Sequence, residues 1–307
     1  MEGPDVLVIV NPAAARGTGA RLWPRLEPAL RARFPGLTVR ATGARGDAER
    51  WAGEWAAEHA DDPVIAVGGD GTVHEVVNGL LRDRPTCRLG VIPAGTGNDF
   101  ARNVGIPADP LAAAERIAGG NVAKIDAGRV EFSGDGGDLR ARTFVNSASV
   151  GVSPRANHIA GSVGRMVPGR LRYGLGGILA LLAERAGRYT VASAGRIVFQ
   201  GRALNLTFAN GPSFGGGMRI SPDSVLTDGA LDQVVIGDLG RVRALLALSR
   251  LYAGGHVRMR GVGVTRLRDP VQVTREDGGM LLEADGEEWS AGRELAVRVL
   301  PGAIGLL

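Results

Sequence analysis

Residues 64–80 read VIAVGGDGTVHEVVNGL, and the order of these letters decides the fold. Val64 to Val67 is a short β-branched apolar run with the character of a buried strand. Val73, Val76, Val77, Leu80 and Leu81 then recur with helical spacing. Gly68, Gly69 and Gly71 therefore sit where a strand hands over to a helix. The first-turn amides of a helix have no intrahelical partners, and the helix dipole favours negative charge in front of them. Glycine removes the Cβ atoms that would keep a phosphate away and permits positive φ. The stretch fits a phosphate cradle, although a tight strand-to-helix turn needing glycine for geometry alone would use the same letters. Asp70 separates the two: it would repel a bare phosphate and makes sense when a divalent cation accompanies a nucleotide.

A chain of 307 residues with 44% apolar content is long enough for two soluble globular domains. Glu2, Pro4 and Asp5 interrupt the start and Val6 to Val10 is only strand length, so no signal peptide is expected. The longest apolar run, near Gly174 to Ala183, is too short to span a bilayer. Cys87 is the only cysteine, which excludes internal disulfides and Cys/His metal clusters and suits a reducing cytoplasm. Lys124 is the only lysine. A Walker-type loop needs a lysine after its glycines, so a phosphate site here must use backbone amides, arginines and a metal. The arginine-dominated charge, net +4, suits acidic partners such as anionic lipid surfaces, although genome composition would produce the same bias.

Strands are expected at Val6–Val10, Leu37–Thr42, Val64–Val67 and Leu89–Ile92. They alternate with helices over Thr18–Phe34, Asp47–His59 and Thr72–Leu81 and from about Asn98 and Asp109. This alternation predicts a doubly wound parallel α/β sheet whose ligands bind at the carboxyl ends of the strands. The loops 11–17, 68–71 and 93–98 leave those ends. From about Ile125 short strand-like runs separated by Gly, Asp and Pro predict a β-sandwich, interrupted by helices over Arg165–Ala186 and Gly240–Tyr252. The expected division is an α/β nucleotide-binding domain at 1–124 and a β-sandwich domain with inserted helices at 125–295, with a tail at 296–307 returning to the first.

A second glycine-rich junction, PAGTGNDFARNVGIP at 93–107, follows the strand before it as the first one does. Asn98 and Asp99 can cap the helix that carries Phe100 and Val104. Together with VNPAAARG at 10–17, SPDSVLTDGALD at 221–232 and LEADGEEW at 282–289, these stretches resemble the diacylglycerol kinase catalytic family, and in particular its bacterial lipid kinases. The five motifs run in the family's order from Val6 to Leu307.

The resemblance implies transfer of the γ-phosphoryl of ATP to a lipid hydroxyl in a cleft between the two domains. Gly68, Gly69, Gly71 and Thr72, with Val73 and His74 beside them, would position the phosphates, and Asn11, Thr42 and Thr96 would surround the nucleotide. Asp70 would act with Mg2+ in neutralising charge. Asp285 matches the family's proton acceptor, although Asp285-Gly286 is also the usual signal for a type I′ hairpin turn. The loop 225–230 resembles a second, structural magnesium site, with the Asp228 side chain and the carbonyls of Val225 and Ala230 as ligands. Two departures stand out: Ala14 or Ala15 replaces a serine usual in the N-terminal motif, and His74 replaces a common asparagine. His158 and His256 read as surface residues.

The stretch 164–188 combines Arg165, Arg170, Arg172, Arg185 and Arg188 with Met166, Leu171, Tyr173, Leu175, Ile178, Leu179 and Leu182. An arginine-rimmed apolar face of this kind can rest on an anionic leaflet, or equally pack on the sandwich. The expectation is a cytoplasmic lipid kinase touching the inner face of the membrane, without a nucleic-acid partner and with its oligomeric state open, a homodimer included. An NAD kinase and a catalytically silent binding protein on the same fold are the rivals.

Overall fold

The structure is a computed structural model and describes residues 5–59, 61–134, 136–162 and 169–307. Two compact units make up the chain: Met1–Asp126 with Pro301–Leu307, and Ala127–Leu300. The sequence placed the border at 124/125 and began the returning tail at 296.

In the first unit, β1 (Val6–Val10), β2 (Leu37–Ala41), β3 (Val64–Gly68) and β4 (Cys87–Pro93) alternate with α1 (Ala14–Arg33), α2 (Asp47–Glu58) and α3 (Asp70–Leu80). The short α4 (Asp99–Asn103) and α5 (Pro110–Ala118) follow β4. The strands are parallel in the order β2-β1-β3-β4. Every residue of β1 and β3 is buried, as continuous Val/Ile runs covered on both faces must be. α1 packs with α5 and α2 with α3, so helices cover both faces. Chain direction across the sheet reverses between β1 and β3, and at such a switch point the loops leaving the strands open a crevice. Helix α3 begins at Asp70, two residues before the expected Thr72, so the glycines reach into its first turn.

The tail is a strand, not an irregular return: β15 (Glu294–Leu306) lays Ile304 to Leu306 parallel to Cys87 to Leu89 of β4. The Gly302 amide donates to the buried Asp126 carboxylate at 2.7 Å, which ties the tail down where the Pro-Gly break occurs. β5 (Ala123–Ser133) leaves the unit beside it.

The second unit is a β-sandwich, antiparallel throughout. It contains β6 (Leu139–Phe144), β7 (Ser147–Gly151), β8 (Gly187–Ser193), the long β9 (Arg196–Ala209), β10 (Leu231–Gly237), β11 (Val262–Leu267), β12 (Val271–Arg275), β13 (Met280–Ala284) and β14 (Glu287–Ala291). Alternating inward residues, among them Phe132, Phe144, Tyr189, Leu206, Phe208, Val273 and Leu282, form its core. The inserted helices are α6 (Val152–Ser162), α7 (Gly169–Ala183) and α8 (Arg241–Arg250). The sequence expected one helix over 165–186. Instead α6 precedes it, α7 ends at Ala183, and Arg188 belongs to β8, because Tyr189 and Val191 alternate into the sheet core. Arg165 and Met166 lie outside the described residues.

His256 corrects its sequence reading. It is fully buried, and its Nε2 donates to the Ile220 carbonyl at 3.0 Å; burial holds its pKa below the ordinary histidine value. His158 is exposed, within 3.4 Å of Glu288.

Across β10 and β11, Arg266 faces Asp232 in register and donates to both of its oxygens, at 2.9 and 3.2 Å. Burial works against the Asp232 charge, and the bonds from Arg266, Ser224 and Ser221 outweigh it, so its pKa lies below the ordinary aspartate value. The stability this contributes is present above the unfolded-state pKa and is lost as pH falls through the lowered folded value. Arg266→Ala leaves Asp232, 4% exposed, without its counter-charge. It should lower unfolding free energy by about 3 kcal/mol in urea titrations at neutral pH, with the deficit shrinking under acid conditions.

Candidate functional site

Loops at the carboxyl ends of β1, β3 and β4 converge in the first unit through contacts that glycine alone allows. A Cβ on Gly95 would lie 2.4 Å from the Cα of Gly69, so these two backbones pack directly on each other. The Ala94 amide donates to the Gly68 carbonyl at 2.8 Å. Asp70 Oδ1 accepts the Phe100 amide at 3.0 Å, capping α4 from thirty residues away. Asn11 binds the first loop to the second: its Nδ2 donates to Thr72 Oγ1 at 3.0 Å while its Oδ1 accepts the Ala13 amide at 3.1 Å.

Of the predicted nucleotide residues, Asn11, Gly68, Gly69, Asp70, Gly71 and Thr72 are thus gathered in one place. Thr96 is exposed between Gly95 and Gly97 on the facing loop. Thr42 follows β2 and donates its amide to the Val10 carbonyl at 2.8 Å. Val73 and His74 are buried, and Asn78 donates to the His74 carbonyl at 2.9 Å, so their side chains serve the interior of the unit. The amides of Thr72 and Val73 both donate to the Gly69 carbonyl, at 3.0 and 3.1 Å. Gly71 is different. It is exposed, and a Cβ there would meet nothing within 4 Å, so no protein contact asks for glycine in this helical turn.

Two features escaped the sequence reading. Ala15, Arg16 and Gly17 have φ of 43°, 62° and 90°, a left-handed run that kinks the start of α1 where alanine replaces the family's serine. Left-handed non-glycine residues cost roughly 1–2 kcal/mol each and concentrate at ligand clamps. Asp99, buried and paired with Arg102, brings a second carboxylate: Asp70 Oδ2 and Asp99 Oδ2 lie 2.9 and 3.6 Å from where a Gly97 Cβ would be. Two carboxylates flanking a phosphate cradle fit a divalent cation shared with the phosphates. Among the described residues no group of three or more metal-ligating side chains occurs.

In the second unit Asp285 sits in a two-residue turn joining Ala284 of β13 to Glu287 of β14. Asp285 and Gly286 have φ of 49° and 91°, the positive values a type I′ turn requires. The turn accounts for the backbone but not for the side chain. The Asp285 carboxylate accepts the amides of Val145 and Asn146 at 2.8 Å each and of Ser147 at 3.2 Å, and its own amide donates to the Ser147 carbonyl at 3.0 Å. A half-buried carboxylate so anchored can receive a proton from a hydroxyl placed against it.

The loop 225–230 holds a cation of its own. Asp228 Oδ2 lies 3.1 Å from Arg266 Nη1 and its Oδ1 accepts the Ala230 amide at 3.1 Å, while the Val225 side chain is exposed. The Arg266 guanidinium therefore lies beside the one side chain, Asp228, that the resemblance assigns to a second magnesium ion.

A small apolar cavity of about 70 Å³, open to solvent on one side, lies among α6, α7, α8, β9 and β10. Ser153, Asn157 and Asn205 are its polar lining, and among the described residues around it none is ionisable. Asn205 is committed to the Ser153 amide and to Thr207, at 2.8 and 2.9 Å.

Comparison with known proteins matches both units of the chain. Residues 5–130 match the diacylglycerol kinase catalytic domain, and residues 146–307 match the YegS C-terminal NAD kinase beta sandwich-like domain. The chain is 35% identical over 254 residues to the diacylglycerol kinase of Bacillus subtilis, covering 81% of this chain and 78% of that one. It is 29% identical over 306 residues to the "Probable lipid kinase YegS" of Salmonella arizonae, covering 98% and 95%. Among solved structures, a diacylglycerol kinase from Bacillus anthracis superposes with a TM-score of 0.72 at 24% identity, covering 100% and 97%. A yeast NADH kinase shares the fold at a TM-score of 0.55 and 11% identity, covering 99% and 83%. With its two units matched in order, the chain belongs to the diacylglycerol kinase and YegS family of lipid kinases.

Proposed function

We propose that this lipid kinase uses ATP and Mg2+, and that its acceptor is a lipid whose chain enters the apolar cavity of the second unit. The cavity carries the reading: a lining of aliphatic residues with three neutral polar side chains suits a hydrocarbon chain and no charged metabolite. The backbone of Gly69–Gly71 at the start of α3 cradles the phosphates, and Asn11 and Thr96 border the nucleotide, with Thr42 at its edge. Magnesium, when bound beside Asp70 and Asp99, neutralises phosphate charge. The acceptor hydroxyl oxygen forms its bond to the γ-phosphorus as the bond to the β-phosphate oxygen breaks and ADP leaves. The hydroxyl proton passes to the Asp285 carboxylate, which the amides of 145–147 hold in place.

No helix among the described residues is long and apolar enough to cross a membrane. On α7, Leu175, Ile178, Leu179 and Leu182 recur at helical spacing and are 40–46% exposed. α8, packed against it, adds Val242 and Leu246 beside exposed Arg241 and Arg243. This face, rather than the whole of 164–188, is the surface proposed to rest on the anionic cytoplasmic leaflet, where arginines find phosphate headgroups and the leucines enter the acyl boundary.

Labelled ATP offered with a lipid panel in micelles, and with NAD in a parallel tube, tests the reaction. Label in the organic phase is expected, and label on NAD alone would overturn the reading. Asp285→Asn should lower kcat by about 100-fold or more with KM for ATP unchanged. Gly71→Ala should leave stability unchanged or raise it by about 0.5–1 kcal/mol, yet raise KM for ATP about tenfold as the methyl takes the phosphate's space; an unchanged KM would move the phosphates away from α3. Arg241→Gln with Arg243→Gln should weaken binding to phosphatidylglycerol vesicles roughly 30-fold, at about 1 kcal/mol per arginine, and leave binding to neutral vesicles alone.

A further inference from the structure

Two residues before Asp285, β13 places a carboxyl group where an apolar side chain would be ordinary. Glu283 is fully buried, with Ser149 of β7 on one side and Glu288 of β14 on the other. Its Oε1 accepts the Gly286 amide at 2.6 Å, and its Oε2 is buried without a hydrogen-bond partner. Burying a carboxyl costs free energy that a leucine would not. The one protein group it serves is the amide of the residue following Asp285, in a turn whose two residues are both left-handed.

The turn is consequently held from two directions. The amides of 145–147 grip the Asp285 side chain, and Glu283 grips the backbone one residue further on. We propose that Glu283 is a positioning residue for Asp285, acting as a neutral acid that locks the Asp285–Gly286 turn without placing a second charge beside the proton acceptor. This rests on the assignment of Asp285 as that acceptor.

Burial pushes the Glu283 carboxyl up to about 8, with Asp285 and Glu288 adding to the rise against the Gly286 bond. It is therefore protonated at neutral pH and ionises as pH climbs past that value. Among the described residues no cation meets it directly. Of the charged groups on the packed elements, His158 of α6 meets Glu288 at 3.4 Å, Arg155 meets Glu184 at 3.3 Å, and Arg142 of β6 lies over the Trp289 ring. Ionised Glu283 would grip the Gly286 amide more strongly but place an uncompensated negative charge next to the Asp285 carboxylate, which disfavours Asp285 in its charged, proton-accepting form.

The test compares Glu283→Gln, which keeps the acceptor oxygen and cannot ionise, with Glu283→Leu, which fills the space and abandons the Gly286 amide. Wild-type kcat should fall as pH rises through about 8. E283Q should keep near wild-type kcat at pH 7 and lose that alkaline limb. E283L should lose at least tenfold in kcat at pH 7 with KM for ATP unchanged. Wild-type kcat in E283L, or an unaltered alkaline limb in E283Q, would overturn the proposal. A third outcome, E283Q as inactive as E283L while its melting temperature matches wild type, would also overturn it by showing that the proton itself is required. Asp285→Asn run alongside separates the failures: full turnover in D285N removes the acceptor assignment beneath the inference, whereas loss in D285N with full turnover in E283L removes the inference alone.

Discussion

The direct packing of Gly69 on Gly95 is the contact on which the convergence of the β1, β3 and β4 loops depends. Any side chain at either position would push the β3 and β4 loops apart. With both absent, the Ala94 amide reaches the Gly68 carbonyl and the Asp70 carboxylate reaches the amide of Phe100, so two strand-to-helix junctions become one surface. Asn11 extends that surface to the β1 loop through Thr72. Asp70 thus has a structural task as well as the ligand role proposed for it: its Oδ1 caps α4 while its Oδ2 faces Gly97 with the Asp99 carboxylate. One residue serving both tasks explains why an acid stands within a glycine cradle.

Acidic side chains in the second unit are likewise spent on backbone and on arginine. Asp285 takes three amides, Glu283 takes a fourth, and Asp228 and Asp232 share Arg266. The Asp285 and Arg266 pairings join segments far apart in the chain, so these polar groups of the sandwich specify which loops meet, while its aliphatic core supplies the driving force. Arg266 thereby ties the 225–230 loop to β10 and β11 through Asp228 and Asp232. The cavity beside α6 is the exception to this dense pairing. Its apolar walls and neutral polar groups leave room that the chain itself does not fill.

Local signals determined a large share of this. Periodicity of two or 3.6 residues, glycine after an apolar run, and the lack of all but one lysine act over a handful of positions, so the alternating α/β unit, the sandwich and the glycine loops were legible in the letters, and the motif order pointed to the family. The misplaced elements share a cause. α6 lacks a strong period of its own, and the tail becomes a strand only because β4 and β12 offer it edges. The tertiary structure alone decided which predicted site residues keep their side chains for a ligand. Val73 and His74 turn inward, Asp228 turns to Arg266, and Asp285 is anchored by amides some 140 positions earlier in the chain. Glu283 looks like an ordinary strand residue until the sheet closes over it. A sequence displays which groups can bond within a few residues, but burial and distant hydrogen bonds, which set the charge and orientation of a carboxyl, exist only after folding has brought the segments together.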